Sequence, residues 1–382
     1  MMLTVLGTSK SFLQHHFKRL SDNMSESKSQ ADLTDPAVSP HPKQSLADST
    51  PFVLPLDCPP GVPAFTPAVG LKNAHLQTMW GVFRPACPRI VGTVQRKLRF
   101  ADGDFAVLHD DKPETWSRGD HVALLMHGLS GCHGSGYMAR IAAKLNERNV
   151  RVFRMDHRGC GAGRMLAKNP YHAGRTRDVE SAIRMLERLC PGSPVSLAGF
   201  SLSGNLVLRY LGEQPESLPL SLYRAVAVCP PIDLQHCVQK LGQTTMGQKY
   251  DWYFARELVS QLAGTPQWRD DLPLAKVKRL PRNLIDFDDL YTAPASGYLS
   301  AEHYYAESSA KPHIGNIRVH TSVLVAEDDP MVSSDPWLDV NLPPNITLCM
   351  TKHGGHLGFV GRRNADPDNR WMDWRVVDWL LN

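Results

Sequence analysis

The sequence predicts an α/β fold with a mainly parallel sheet and helices on both faces, and three observations predict it. Continuous apolar runs such as HVALLMHG (121–128) and VSLAGFS (195–201) have the length and composition of strands covered on both sides. Segments with apolar residues at helical spacing follow them, as in RDVESAIRMLERLCPG (177–192). Strand and helix then alternate along the chain, the pattern of crossovers between parallel strands.

Taken in order, RKLRF (96–100) and FAVLHD (105–110) read as a hairpin around Asp102-Gly103, since glycine tolerates the positive φ of a tight turn. HVALLMHG is the next strand, and SGYMARIAAKLNERN (135–149) follows with helical spacing. RVFRMDHRG (151–159) is a strand. In the helix over 177–192, Val179, Ile183 and Leu186 share one face and Pro-Gly ends it. VSLAGFS then leads into the helix SGNLVLRYLGE (203–213). RAVAVCPP (224–231), TSVLVAEDD (321–329) and ITLCMT (346–351) supply further strands. From about 232 to 318 the regularity breaks into a polar, aromatic stretch with Tyr250, Trp252, Tyr253, Phe254, Phe287, Tyr291, Tyr304 and Tyr305. An insertion of this length between strands reads as a cap or lid that shapes a pocket, with extra packing helices as the alternative.

Composition bounds the function. Of 382 residues, 42% are hydrophobic and 21% charged, which is ordinary globular usage and excludes wholesale disorder. The formal net charge of +4, without a Lys/Arg-rich run, gives no support for nucleic acid as a partner. No run reaches the roughly 18 apolar residues of a transmembrane helix; contact with a membrane surface stays open. The eight cysteines (58, 87, 132, 160, 190, 229, 237, 349) contain no C-x-x-C and read as reduced thiols of a cytoplasmic protein rather than a disulfide or zinc framework. Residues 1–20 carry Lys10, Lys18 and Arg19 and no acid; they read as a poorly ordered tail, or an over-extended start with Met24 as the true beginning, rather than a targeting segment. Residues 21–50 are too polar to offset their ordering entropy. The division is therefore a disordered tail at 1–51 and one domain at 52–382, with the cap at about 232–318.

Chemistry concentrates in Gly199-Phe200-Ser201-Leu202-Ser203-Gly204. A serine on a sharp strand-to-helix turn is forced out of the sheet with its Oγ exposed, and the next backbone N–H points where an oxyanion forms. Ser203 stands where the usual G-x-S-x-G pattern has its last glycine; it is small enough to keep the geometry. A serine nucleophile needs a base. His356, in Lys352-His353-Gly354-Gly355-His356 after the last strand, is the candidate, with His353 the competitor. The base needs an acid to fix its tautomer. Asp329 at the end of TSVLVAEDD is favoured, and Asp328 is the alternative. The order Ser201, Asp329, His356 is that of the α/β-hydrolase fold, not of chymotrypsin or subtilisin. Leu129 and Leu202 supply the backbone N–H groups of the expected oxyanion hole. His127 props the Leu129 loop. Cys160 reads as a structural thiol. His353 and His356 lack a partner at metal-ligand spacing, so no metal is expected, and no phosphate-binding glycine motif is present, so no cofactor is expected.

Asn73-Ala74-His75-Leu76-Gln77-Thr78, HGLSG (127–131), DHRGCG (156–161), YHAGRTRD (171–178), GFSLSGN (199–205), FDD (287–289) and HGGHLGF (353–359) together resemble the YheT-like α/β-hydrolases, over about residues 60–380. That family includes bacterial YheT, a plant embryogenesis-associated protein and mammalian phospholipase-like proteins. The resemblance implies a cofactor-independent serine hydrolase acting on small-molecule carboxylic esters, lipid esters among them, through Ser201, an Asp at 328–329 and His356. Ser203 departs from the family's usual glycine.

Overall fold

A computed structural model describes residues 58–83, 90–263, 280–363 and 366–382. The tail expected at 1–51 lies outside the described residues, as do 52–57 and Cys87. Eight strands form one sheet: β1 (Val94–Arg99), β2 (Phe105–Asp111), β3 (Val122–Met126), β4 (Arg151–Asp156), β5 (Val195–Phe200), β6 (Leu222–Val228), β7 (His320–Ala326) and β8 (Ile346–Thr351). They lie in the order β1-β2-β4-β3-β5-β6-β7-β8. β2 pairs antiparallel with β1 and β4, and every pairing from β4 to β8 is parallel. The β1–β2 hairpin turns at Gly103, whose φ of +87° needs glycine.

Period-two alternation divides the core between the two faces of the sheet. From β3, Leu124 and Met126 join one cluster with Val179, Ile183 and Leu186 of α3 (Thr176–Leu189) and Leu206 of α4 (Leu202–Glu213). Ala123 and Leu125 join the other, with Ile141 of α2 (Gly136–Asn146) and Trp371 and Val377 at the C-terminal end of the chain. An earlier helix, α1 (Ala74–Phe83), precedes the sheet.

Between β6 and β7 the chain forms α5 (Leu234–Gln243), α6 (Thr245–Ala263) and α7 (Leu284–Phe287). A π-helical turn, Asp288–Thr292, continues α7, and α8 (Ala301–Ser308) follows. Tyr250, Leu284, Tyr304 and Tyr305 are buried there in a cluster of their own, against which Leu129 and Leu202 pack. The last helix is α9 (Trp371–Leu381). No helix among the described residues is long and apolar enough to cross a membrane.

One expectation is corrected. Cys58 and Cys349 form a disulfide, 291 residues apart in sequence, whereas spacing alone had all eight cysteines as reduced thiols. Spacing cannot reveal a pair that meets only because the segment before α1 runs beside β8. Cys132, Cys160, Cys190, Cys229 and Cys237 are free.

Candidate active site

Ser201 sits between β5 and α4 with φ +53° and ψ −121°, a backbone state that side chains rarely adopt. Its N–H donates to the Val228 carbonyl (2.8 Å), and its own carbonyl accepts from Gly204 N–H (2.7 Å). Gly199 lets α4 approach: a Cβ there would collide with the Ser203 backbone. Gly128 is as tightly placed, since a Cβ would stand 2.9 Å from Ser201 Cβ and 3.1 Å from the Phe200 carbonyl oxygen. Gly128→Ala is therefore expected to displace Ser201 and lower kcat/KM by about 10²-fold, the cost of roughly 1 Å misplacement, with a smaller effect on KM. Ester turnover by the purified variant checks this.

Ser203 is buried and its Oγ is fully used. It donates to the His127 carbonyl (2.5 Å), and His157 Nε2 lies 2.9 Å away as donor to it. The hydroxyl that departs from the glycine pattern is thus absorbed by a buried polar cluster beside the elbow. His127 Nδ1 bonds the Gly128 carbonyl (2.7 Å), and burial pushes its pKa down. It makes no hydrogen bond to Ser201 among those of the described residues, in keeping with a prop for this loop.

His356 Nε2 stands 2.9 Å from Ser201 Oγ, and His356 Nδ1 2.7 Å from Asp329 Oδ2. The other Asp329 oxygen accepts the N–H groups of Met331 (2.8 Å) and Val332 (3.0 Å). Asp328 turns to His353 Nδ1 (3.2 Å) and Gly355 N–H (2.9 Å). The two neighbouring carboxylates thus hold two different histidines, and only His356 reaches the serine. Leu129 and Leu202 flank Ser201 in the same cleft. Leu202 opens α4, so its N–H has no helical carbonyl behind it. The N–H groups on either side of Leu129 are engaged, Gly128 with Tyr137 Oη and Ser130 with Tyr171 Oη (both 3.1 Å).

Several positioning residues escaped the sequence reading. Thr78 Oγ1 of α1 accepts from His356 N–H (2.9 Å). Gln77, fully buried, accepts from Val360 N–H (2.8 Å) and donates to the carbonyls of Leu71 (2.7 Å) and Val360 (3.1 Å). The Asn73–Thr78 motif therefore clamps the His356 loop; its only signal had been the family resemblance. Gln77→Ala leaves buried backbone groups unpaired and should cost about 2–4 kcal/mol. A fall in Tm together with lost activity checks it. Cys229, at φ +47° after β6, is a third such residue. Its Sγ, an Asp329 oxygen and a His356 nitrogen all lie within 4.8 Å of one another. Burial first, then the Asp329 carboxylate, push its thiol well above the usual pKa. Cys160 is likewise pushed up to about 12 by burial, an inert thiol.

The cleft over Ser201 and His356 is open to solvent and holds a cavity of about 100 Å³, lined mainly by apolar side chains such as Leu234, Val238, Leu241, Phe254 and Leu258. Asp288 is its carboxyl group among the lining residues; burial raises its pKa to about 6, and Tyr305 Oη donates to it (2.6 Å).

A sheet in this strand order, with β2 alone reversed and a strained serine where β5 turns into α4, makes the protein an α/β-hydrolase. The family described as serine aminopeptidase, S33 (Hydrolase_4) matches residues 118–341, and the chain belongs to it. It is 31% identical over 320 residues to YheT of Escherichia coli (strain K12), across 83% of this chain and 92% of that one. The YheT-like resemblance read from the motifs therefore holds. It is 26% identical over 294 residues to the monoacylglycerol lipase of Saccharomyces cerevisiae (strain ATCC 204508 / S288c), across 74% of this chain and 63% of that protein. With phospholipase ABHD3 of Mus musculus it shares 25% over 240 residues, 62% of this chain and 58% of the other. The chain thus spans less than two thirds of these last two. Among solved structures, 2,6-dihydroxy-pseudo-oxynicotine hydrolase superposes with a TM-score of 0.50 at 16% identity, covering 80% of this chain and 72% of that one, a likeness of fold. The protein is an enzyme of the esterase and lipase type.

Proposed function

We propose that the protein cleaves carboxylic esters of apolar acyl chains through an acyl-enzyme intermediate. Ser201 attacks the ester carbonyl while His356 takes its proton. Asp329 holds the imidazole tautomer and stabilises the imidazolium. The N–H groups of Leu129 and Leu202 receive the oxyanion. His356 then protonates the leaving alcohol and afterwards activates the water that releases the acid. The observation that carries this reading is the hydrogen-bonded chain from Ser201 through His356 to Asp329, opening into an apolar cleft. An acyl tail gains about 0.8 kcal/mol per methylene buried in such a cleft, so affinity should rise with chain length until the cleft is full. The relatives named as lipases point the same way. The five free cysteines among the described residues suit a reducing, cytoplasmic setting, although the Cys58–Cys349 disulfide does not.

The test is a panel of p-nitrophenyl esters of graded acyl length beside aminoacyl p-nitroanilides. The reading expects kcat/KM to climb from acetate into medium chains and the anilides to lag far behind. Faster cleavage of the anilides would move the enzyme to peptide chemistry.

A further inference from the structure

A second buried cluster stands apart from the cleft. His109 Nε2 lies 2.9 Å and His133 Nδ1 2.8 Å from one oxygen of Asp156, Oδ2. The three side chains come from three elements: His109 from β2, Asp156 from the end of β4, His133 from the loop after β3. Their candidate ligand atoms all lie within 4.8 Å of one another. The side chains of His109 and Asp156 are 2% and 0% exposed, whereas His133 keeps 30%. The two imidazoles stack with centroids 3.4 Å apart. Sequence spacing could not reveal the group, because no two of its members share a motif.

We propose that His109, His133 and Asp156 bind a divalent transition-metal ion of the Zn²⁺ or Co²⁺ type. Two imidazoles and one carboxylate form a borderline donor set, which suits those ions rather than Mg²⁺ or Ca²⁺ with their all-oxygen shells. Ligands about 2.0–2.1 Å from a tetrahedral ion stand roughly 3.3–3.5 Å apart, so the two nitrogen–oxygen distances need to open by only about 0.5 Å. Each ring moves its proton to its other nitrogen as the ion takes the place between ring and carboxylate. The exposed edge of His133 gives an entry path and leaves the fourth position to water.

The surroundings suit a ligand site. Asp156 Oδ1 accepts the His133 N–H (2.6 Å), and Oδ2 also accepts the Ala162 N–H (2.7 Å), which orients the carboxylate. The neighbouring Arg154 is neutralised by Asp111 (2.6 and 3.0 Å) and fixes the His133 carbonyl (2.9 Å). His133 shares its loop with Leu129, and Asp156 precedes His157, which bonds Ser203 beside the elbow. The ion would therefore brace the loop expected to bind the oxyanion.

The test uses the full-length chain without an affinity tag, stripped by a chelator and desalted. Calorimetric titration with Zn²⁺ and metal analysis after desalting should show an equimolar bound ion, and Tm should rise. Co²⁺ should give the visible absorption of four-coordinate cobalt. His133→Ala, at the partly exposed position, and His109→Gln should each weaken Zn²⁺ binding by at least about 10²-fold, more than the loss of an outer-shell partner costs. Covalent labelling of Ser201 by a fluorophosphonate reports that each variant is folded. If His109→Gln does not fold, His133→Ala decides alone. Absence of equimolar binding, or binding that survives His133→Ala, overturns the proposal and leaves the cluster as a hydrogen-bond brace.

Discussion

Ser201→Ala is expected to abolish fluorophosphonate labelling and to lower kcat/KM on the best p-nitrophenyl ester by about 10⁴–10⁶-fold, the span seen when a triad nucleophile is removed. The Tm should move little, because Ser201 Oγ serves only His356, at 2.9 Å, among its described side-chain bonds. That combination separates lost chemistry from lost folding. Turnover close to that of the unaltered enzyme would remove Ser201 from the reaction and, with it, the acyl-enzyme route.

The second large effect distinguishes two adjacent carboxylates. Asp329→Asn should cut kcat by about 10⁴-fold, since an amide presents its NH₂ to His356 Nδ1 and favours the wrong tautomer. Its remaining oxygen can still accept from Met331 and Val332 N–H, so the loop should keep its shape. Asp328→Asn should cost less than about 10-fold, because Asp328 supports the base only through Gly355 and His353 and at a distance from the reacting serine. Paired steady-state kinetics on the two variants decide it, and a larger loss from Asp328→Asn would hand the acid's role to that residue.

How far the sequence could be read followed from physical range. Strands covered on both faces write themselves as unbroken apolar runs, so β3, β5, β6, β7 and β8 were visible, and with them the parallel sheet. The elbow was visible because a short glycine-flanked serine between strand and helix is a local signature. What stayed open was the choice between neighbours, Asp328 or Asp329 and His353 or His356. Both members of each pair sit in irregular loops, where no period fixes which way a side chain turns. What stayed hidden were contacts between distant segments. Gln77 meets Val360 across 283 residues and Cys58 meets Cys349 across 291. Cys229 meets Asp329 only because β6 and β7 are neighbours in the sheet, and no spacing rule encodes that.

The clamp between α1 and the His356 loop has a consequence in time. The base is seated by a helix made early and a loop made late, so a growing chain carries its nucleophile long before it can use it. At synthesis rates of about 5–20 residues per second, the 155 residues from Ser201 to His356 take roughly 8–30 s to follow. Throughout that interval the hydroxyl has no partner to activate it, and an unfinished polypeptide on the ribosome is chemically silent.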